Sequence, residues 1–389
     1  MEQRRLLPVA FQAITLALLV LASGLAGGQT QAGVARPQTQ TGQAAEAQLP
    51  ESTSSQAEAE LQTGISLTRR GLFKDAIPHF LAARGQVANE YAADFNLALC
   101  YVGTGQFKPA IQILDALRTS HENADVFNLL SQAYVGNDQP QESLKALQKA
   151  AALTPTNEKL YVLVADACLD HRDYSLALKV VDLGLKNLPD SARLHYQRAM
   201  FLSSLDGFDL AKGEFELAAK LAPESNIAYS ALAQKDLLEG NVSDAVRVAR
   251  EGIRTGHEDF ILQALLGESL IRNGLSPSQP EFVEAKSALE KSVATRPNFA
   301  GSQIALGKLY LMERRLDDAI VHLEIARQLE PGDTSVYSNL ATAYRRQGKP
   351  QEAQKMLAIL ARLNEAQAER IRSAPGDSKA GYITTITPH

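Results

Sequence analysis

The chain has no tryptophan, only two cysteines and just 6% aromatic residues in 389. Two thiols cannot build a disulfide framework, and Cys100 and Cys168 form no Cys-x-x-Cys pair from which a zinc or redox motif could start. An excess of positive charge is missing too: 39 Lys and Arg face 44 Asp and Glu, a formal charge of −5. Nothing in that balance supplies the basic surface that general nucleic-acid binding needs. What is there suffices for a folded core, since 45% of residues are hydrophobic and 21% charged.

The first residues have the three parts of an export signal. Arg4 and Arg5 precede an apolar stretch from Leu6 to Leu21, interrupted by Gln12 and Thr15, and small residues follow at Ala22-Ser23-Gly24-Leu25-Ala26. Residues 1–26 are expected to direct export, with cleavage after Ala26. No Cys follows to accept a lipid. The alternative is an uncleaved anchor, since about 20 apolar residues cross a bilayer, although Pro8, Gln12 and Thr15 weaken such a span. The protein is thus expected in the periplasm or outside the cell, with membrane contact only through 1–26 if that segment stays. Residues 27–55 are Gln, Thr, Ala, Gly, Ser and Pro with almost no large apolar side chain, which reads as a disordered tether.

The remainder repeats. A small residue recurs at Ala76, Ala110, Ser143, Ala177, Ala211, Ala245, Ala285, Ala319 and Ala353, at intervals of 34 apart from one of 33 and one of 40. Closing prolines keep the same period at Pro155, Pro189, Pro223, Pro297 and Pro331, and turn glycines at Gly71, Gly105, Gly240, Gly274 and Gly348. Within each repeat apolar residues stand three and four apart on both sides of a short turn, as in Phe127, Leu130, Tyr134 and then Leu144, Leu147. Each repeat is therefore a helical hairpin. The small residues sit where the two helices cross, because a larger side chain would wedge the axes apart. A hairpin of this length cannot bury its apolar faces alone, so hairpins stack.

The order Leu306-Gly307, Tyr310, Ala319, Leu323, Ala326, Pro331 resembles the tetratricopeptide repeat. The resemblance covers nine repeats between residues 57 and 367 and implies an all-α, right-handed solenoid of stacked hairpins over 56–372, with a disordered tail from 373 to 389. The sequence departs from the family pattern in two ways. The bulky first-helix residue is Phe127, Tyr161, Tyr229 or Tyr337, never Trp, and the first two repeats lack the closing Pro. The Lys/Asn/Arg clamp that some members use on acidic chain termini has no visible counterpart, which disfavours a chaperone co-factor role.

Residues with chemical potential have plainer roles here. Cys100 and Cys168 read as small core residues. His195 falls in the column of Phe127, Tyr161 and Tyr229, which favours packing as a flat ring over metal binding. Asp166 and Asp170, four apart on one helix face, resemble a carboxylate pair for acid–base chemistry or a cation. Only 78 residues lie outside the repeats, 56 of them at the N-terminus, which leaves no room for a catalytic domain. No catalytic residue, cofactor or metal is expected.

A second stripe on the first helices, at i, i+4 and i+7, mixes apolar, amide and acidic groups. By the resemblance it lines a concave groove. The expected binding residues are Asn128, Gln132, Val162, Asp166, Leu169, Asp170, Arg193, Tyr196 and Gln234. The competing reading is that the apolar members are covered by the adjacent repeat. Two functions follow: a non-enzymatic scaffold of the cell envelope that binds protein or peptide segments, or an accessory protein of a polysaccharide export or secretion machine. The second would want sugar-stacking aromatics, of which Phe95 and Tyr196 are two.

Three local expectations accompany this reading. The first helix starts near Gln56, where Ser55-x-x-Glu58 has the form of a capping box. The seventh repeat carries a long inter-helix loop at Leu275-Ser276-Pro277-Ser278-Gln279-Pro280. The last helix runs from Lys349 or Pro350 to about Arg372 and covers the open face of the final repeat.

Overall fold

A computed structural model of the chain describes residues 51–257 and 259–373. The expected export signal, most of the tether and the expected tail lie outside these residues. Every regular element described is an α-helix, and the eighteen helices pair into nine hairpins. Among the described residues two compact units contain them, one up to Leu221 and one from Ala222.

The first unit holds five hairpins: α1 (Glu51–Arg69) with α2 (Phe73–Ala83), α3 (Glu90–Gly103) with α4 (Phe107–Ser120), α5 (Ala124–Gly136) with α6 (Pro140–Leu153), α7 (Glu158–His171) with α8 (Tyr174–Asn187), and α9 (Ala192–Ser204) with α10 (Phe208–Leu221). The second unit holds four: α11 (Asn226–Glu239) with α12 (Val242–Arg254), α13 (Phe260–Arg272) with α14 (Pro280–Thr295), α15 (Ala300–Met312) with α16 (Leu316–Leu329), and α17 (Thr334–Arg346) with α18 (Pro350–Ser373). Within each unit, first helices also pack against the first helices of neighbouring repeats, as α5 does against α7 and α13 against α15. The array is an α-solenoid of helical hairpins.

The small-residue column explains the closeness of the paired helices. From Ala76 through Ser143 and Ala211 to Ala319 every member is fully buried, and Ala353 is 5% exposed. Gly307 shows how tight the crossing is, because a Cβ there would stand 2.7 Å from Cγ of Leu323 on the paired helix.

The turn between paired helices needs one residue in the left-handed region. Gly71, Gly105, Gly240, Gly274 and Gly348 supply it at φ of 73° to 89°, and Asp138, Arg172, Asp206 and Arg314 take the same place elsewhere at 58° to 62°. Six first helices are started by polar caps: side chains of Asn89, Asn123, Ser191, Ser225 and Asp259 accept a backbone N–H three residues on, and that of Asp333 one two residues on.

Two expectations need correcting. The first helix begins at Glu51, so residues 51–55 of the expected tether are helical and Ser55 lies inside α1. Glu58 is not part of a capping box, since its Oε1 accepts from the backbone N–H of Ala88 at 2.9 Å. At the other end α18 runs from Pro350 to Ser373, as expected, and the side chains of Asn364, Glu365, Ala366, Ala368 and Glu369 on it are exposed. The long loop of the seventh repeat is present as residues 273–279, with Pro280 opening α14, where the preceding hairpin turns in the two residues 240 and 241. Among the described residues no helix is long and apolar enough to cross a membrane.

Candidate functional site

In the first unit the expected groove is largely closed by its own repeats. Asn128 is fully buried on α5; its Nδ2 donates to the backbone oxygen of Leu160 on α7 at 2.7 Å, and Gln132 Nε2 donates to Asn128 Oδ1 at 2.8 Å. Asn128 therefore ties neighbouring first helices together, Gln132 braces it from within α5, and neither buried amide is open to a ligand. Val162 is buried in the same seam, and Leu169 is half-buried against that core. Tyr196 is 9% exposed, its ring edge-on to Phe215 at 5.5 Å between centroids.

Asp166 and Asp170 are half-buried on α7, and Asp166 Oδ1 accepts from Nε2 of Gln197 on α9 at 2.9 Å. Arg193 on α9 is exposed. In the second unit, Gln234 is half-buried on α11. The covering of the stripe by the adjacent repeat, weighed above as the competing reading, thus holds for Val162 and extends to the amides Asn128 and Gln132.

The bulky column has a polar role that ring packing did not anticipate. Tyr161 Oη donates to the carbonyl of Pro155 at 2.9 Å, Tyr337 Oη to that of Pro331 at 2.8 Å, and Gln303 Nε2 to that of Pro297 at 2.6 Å. His195 does the same through Nε2 to Pro189 at 2.9 Å, while its Nδ1 meets Glu214 Oε2 at 2.6 Å. Both neighbours of the ring, a carboxylate and a carbonyl, are acceptors, an arrangement that the protonated ring satisfies with both nitrogens donating. Burial pushes its pKa down, but the bonds to Glu214 and Pro189 outweigh burial and hold it above the ordinary value. Burial raises Glu214, yet His195 and Arg198 leave its carboxyl below the usual range. Arg198 bridges Glu214 and Asp182, closing a structural charge cluster.

Neither thiol is primed for chemistry. Burial pushes Cys100 up to about 12 despite its contact with the Thr68 hydroxyl, and it pushes Cys168 higher still.

An open groove lies in the second unit, among the C-terminal ends of α13, α15 and α17 and the long loop of the seventh repeat. Its volume is about 830 Å³. Ile271, Leu275, Leu311, Met312 and Leu316 give it an apolar floor, and Ser276 with Pro277 forms one wall from the loop. Lys308, Arg314 and Arg346 are the charged residues that line it, and among the described residues no carboxylate does. Arg346 Nη1 donates to the backbone oxygen of Leu311 at 3.0 Å, which pins one guanidinium nitrogen against α15.

The neighbouring acids are already engaged. Glu313 binds Lys286 Nζ at 2.9 Å, Asp318 binds Arg315 at 2.7 Å, and Asp317 accepts from Gln347. The rim cations Lys308 and Arg314 form no ion pair among the described residues. This arrangement can hold apolar side chains on the floor and carboxylates at the rim.

The signal for this groove was in the sequence. Lys308 and Thr342 occupy the same repeat position as Gln132, Asp166 and Gln234, and Ile271 and Leu311 that of Leu169 and Leu237. Continuing the stripe past Leu237 would have reached them. What periodicity could not supply is the wall, because an insertion has no counterpart in the other repeats.

Models of the tetratricopeptide repeat match residues 67–133, 128–192 and 310–374. The curated protein Superkiller protein 3 of Schizosaccharomyces pombe is 24% identical over 264 residues, covering 67% of this chain but only 17% of that protein. Among solved structures, yeast Tom70 aligns over 86% of this chain and 69% of its own with 20% identity and a TM-score of 0.51, a likeness of fold. A tetratricopeptide repeat protein from Parabacteroides merdae aligns over 65% of this chain and 98% of its own, with 17% identity and a TM-score of 0.47. The repeat matches, the buried small-residue column and the nine hairpins agree, and the chain belongs to the tetratricopeptide repeat family.

Proposed function

We infer that this protein is a non-enzymatic scaffold, exported from the cytoplasm, that holds polypeptide segments of its partners against open first-helix faces. Tetratricopeptide repeats point to protein partners. The observation that carries the reading is the groove among α13, α15 and α17, whose floor is apolar and whose rim is polar, the anatomy of a surface that binds another chain. The polysaccharide reading has less support, since among the described residues no aromatic ring lines this groove on which a sugar could stack. Export rests on the three-part N-terminal sequence and leaves cleaved and anchored forms as alternatives.

Each repeat offers little area, so affinity should be modest and spread over several repeats. Selection of short linear peptides from a displayed random library by the full chain tests the reading. Enrichment of a related set of sequences is expected, and a failure to enrich any peptide above an unrelated helical protein would overturn it. Fractionation of the native cells tests export: the chain belongs in the envelope or outside it, and a purely cytoplasmic pool would contradict that part.

A further inference from the structure

We propose that the groove of the second unit selects segments in which internal carboxylates flank apolar side chains, and that the long loop of the seventh repeat is its specificity element. The inference rests on the scaffold reading and narrows it to one site and one partner chemistry. The charge pattern is the first support. A chain with net charge −5 lines this groove with Lys308, Arg314 and Arg346 and, among the described residues, with no acid. Of the acids beside it, Glu313 and Asp318 are paired with Lys286 and Arg315, and Asp317, which accepts from the neutral Gln347 amide, leaves one negative charge against the three lining cations, so the local field is positive where the groove opens. Arg314 adds to this from a left-handed turn at φ 62°, a place that five other repeats give to glycine.

The floor supplies the second half of the recognition. Leu275 and Pro277 reach it only because the seventh repeat is six residues longer than the common 34, and the surplus falls in 273–279. An apolar side chain of the partner would lie on Leu275, Leu311 and Met312, and carboxylates on either side would meet Lys308 and Arg314. Recognition of this kind needs no free chain end, unlike a clamp on a terminal carboxylate.

The test measures binding to the full chain by fluorescence anisotropy with four labelled probes. The first is a short peptide of leucines among glutamates; the second has lysines in place of the glutamates, the third serines in place of the leucines, and the fourth is a single-stranded oligonucleotide. The first should bind at least about tenfold more tightly than the others, equally well with its C-terminus amidated, and less tightly as salt is raised. The variant Lys308→Glu with Arg314→Glu should lose about tenfold, whereas Lys74→Glu with Lys108→Glu, exposed residues of the first unit, should bind like the parent. Shortening the loop should also weaken binding, and Leu275→Ser, which keeps the loop length, guards against a variant that fails to fold.

Preference for the lysine peptide, equal binding of the oligonucleotide, or dependence on a free terminal carboxylate would each overturn the inference. If the acidic peptide binds but the groove variants bind it unchanged, the scaffold reading stands and this site falls. If no library peptide binds at all, the scaffold reading itself falls.

Discussion

At the scale of single residues, the fold depends on side chains that are small or satisfied. Ala211 is fully buried at the crossing of α9 and α10, so Ala211→Leu should cost about 1–3 kcal/mol of stability through overpacking. Thermal melting reads this, and an unchanged midpoint would mean the column is not a crossing.

His195 gives a pH-dependent counterpart. Its folded pKa is raised, so its contribution is complete below the unfolded value near 6.5 and is lost as pH rises through the folded one. Glu214 is lowered, so its contribution is present above the ordinary carboxylate value and is lost as pH falls through the depressed one. Arg198, bridging Glu214 and Asp182, completes the cluster. His195→Gln keeps an amide that can reach the Pro189 carbonyl, as Gln303 reaches that of Pro297. The parent should therefore exceed this variant in melting temperature most near pH 6 and progressively less towards pH 9. A difference that does not change with pH would show that the ring is neutral in the fold.

At the scale of elements, helix content and pairing were legible because every hairpin repeats the small column, all but the seventh turn tightly, and five of the nine add a closing proline. The seven-residue loop before Pro280 was legible for the opposite reason, since six residues without apolar periodicity and with two prolines have no place in a helix. The start of α1 was not, because Glu51 to Ser55 carries no apolar stripe and the helix is propagated from the packed residues Ala57 and Leu61.

The burial of Asn128 and Gln132 was missed for a related reason. An amide on the i+4 stripe reads as surface, and only the stacking of α5 on α7 reveals the carbonyl of Leu160 that takes it inside. At the C-terminus, Ala353 and Met356 pack on the core of the second unit while the side chains from Asn364 to Ala366 are exposed. A chain ending after Leu363 should thus melt within about 1 kcal/mol of the parent. One ending before Pro350 should lose several kcal/mol, because it removes the helix that α17 packs against and, with it, Ala353 and Met356 from the core. Circular dichroism melts of the two truncations check the contrast, and equal losses would assign a capping role to the overrun after all.

At the scale of the molecule, the chain is two stacks of hairpins whose apolar residues are largely committed to their own neighbours, with function left to the surfaces that stacking does not cover. The first unit closes much of the stripe that the sequence offered as a groove. The second unit keeps its own stripe open and walls it with an insertion. Hydrogen–deuterium exchange of the full chain, with and without a saturating bound peptide of leucines among glutamates, tests this most directly. Slower exchange is expected over 271–277, 308–316 and 339–346, the segments that line the groove, with α5 to α9 unchanged. Protection confined to α5 to α9 would contradict it.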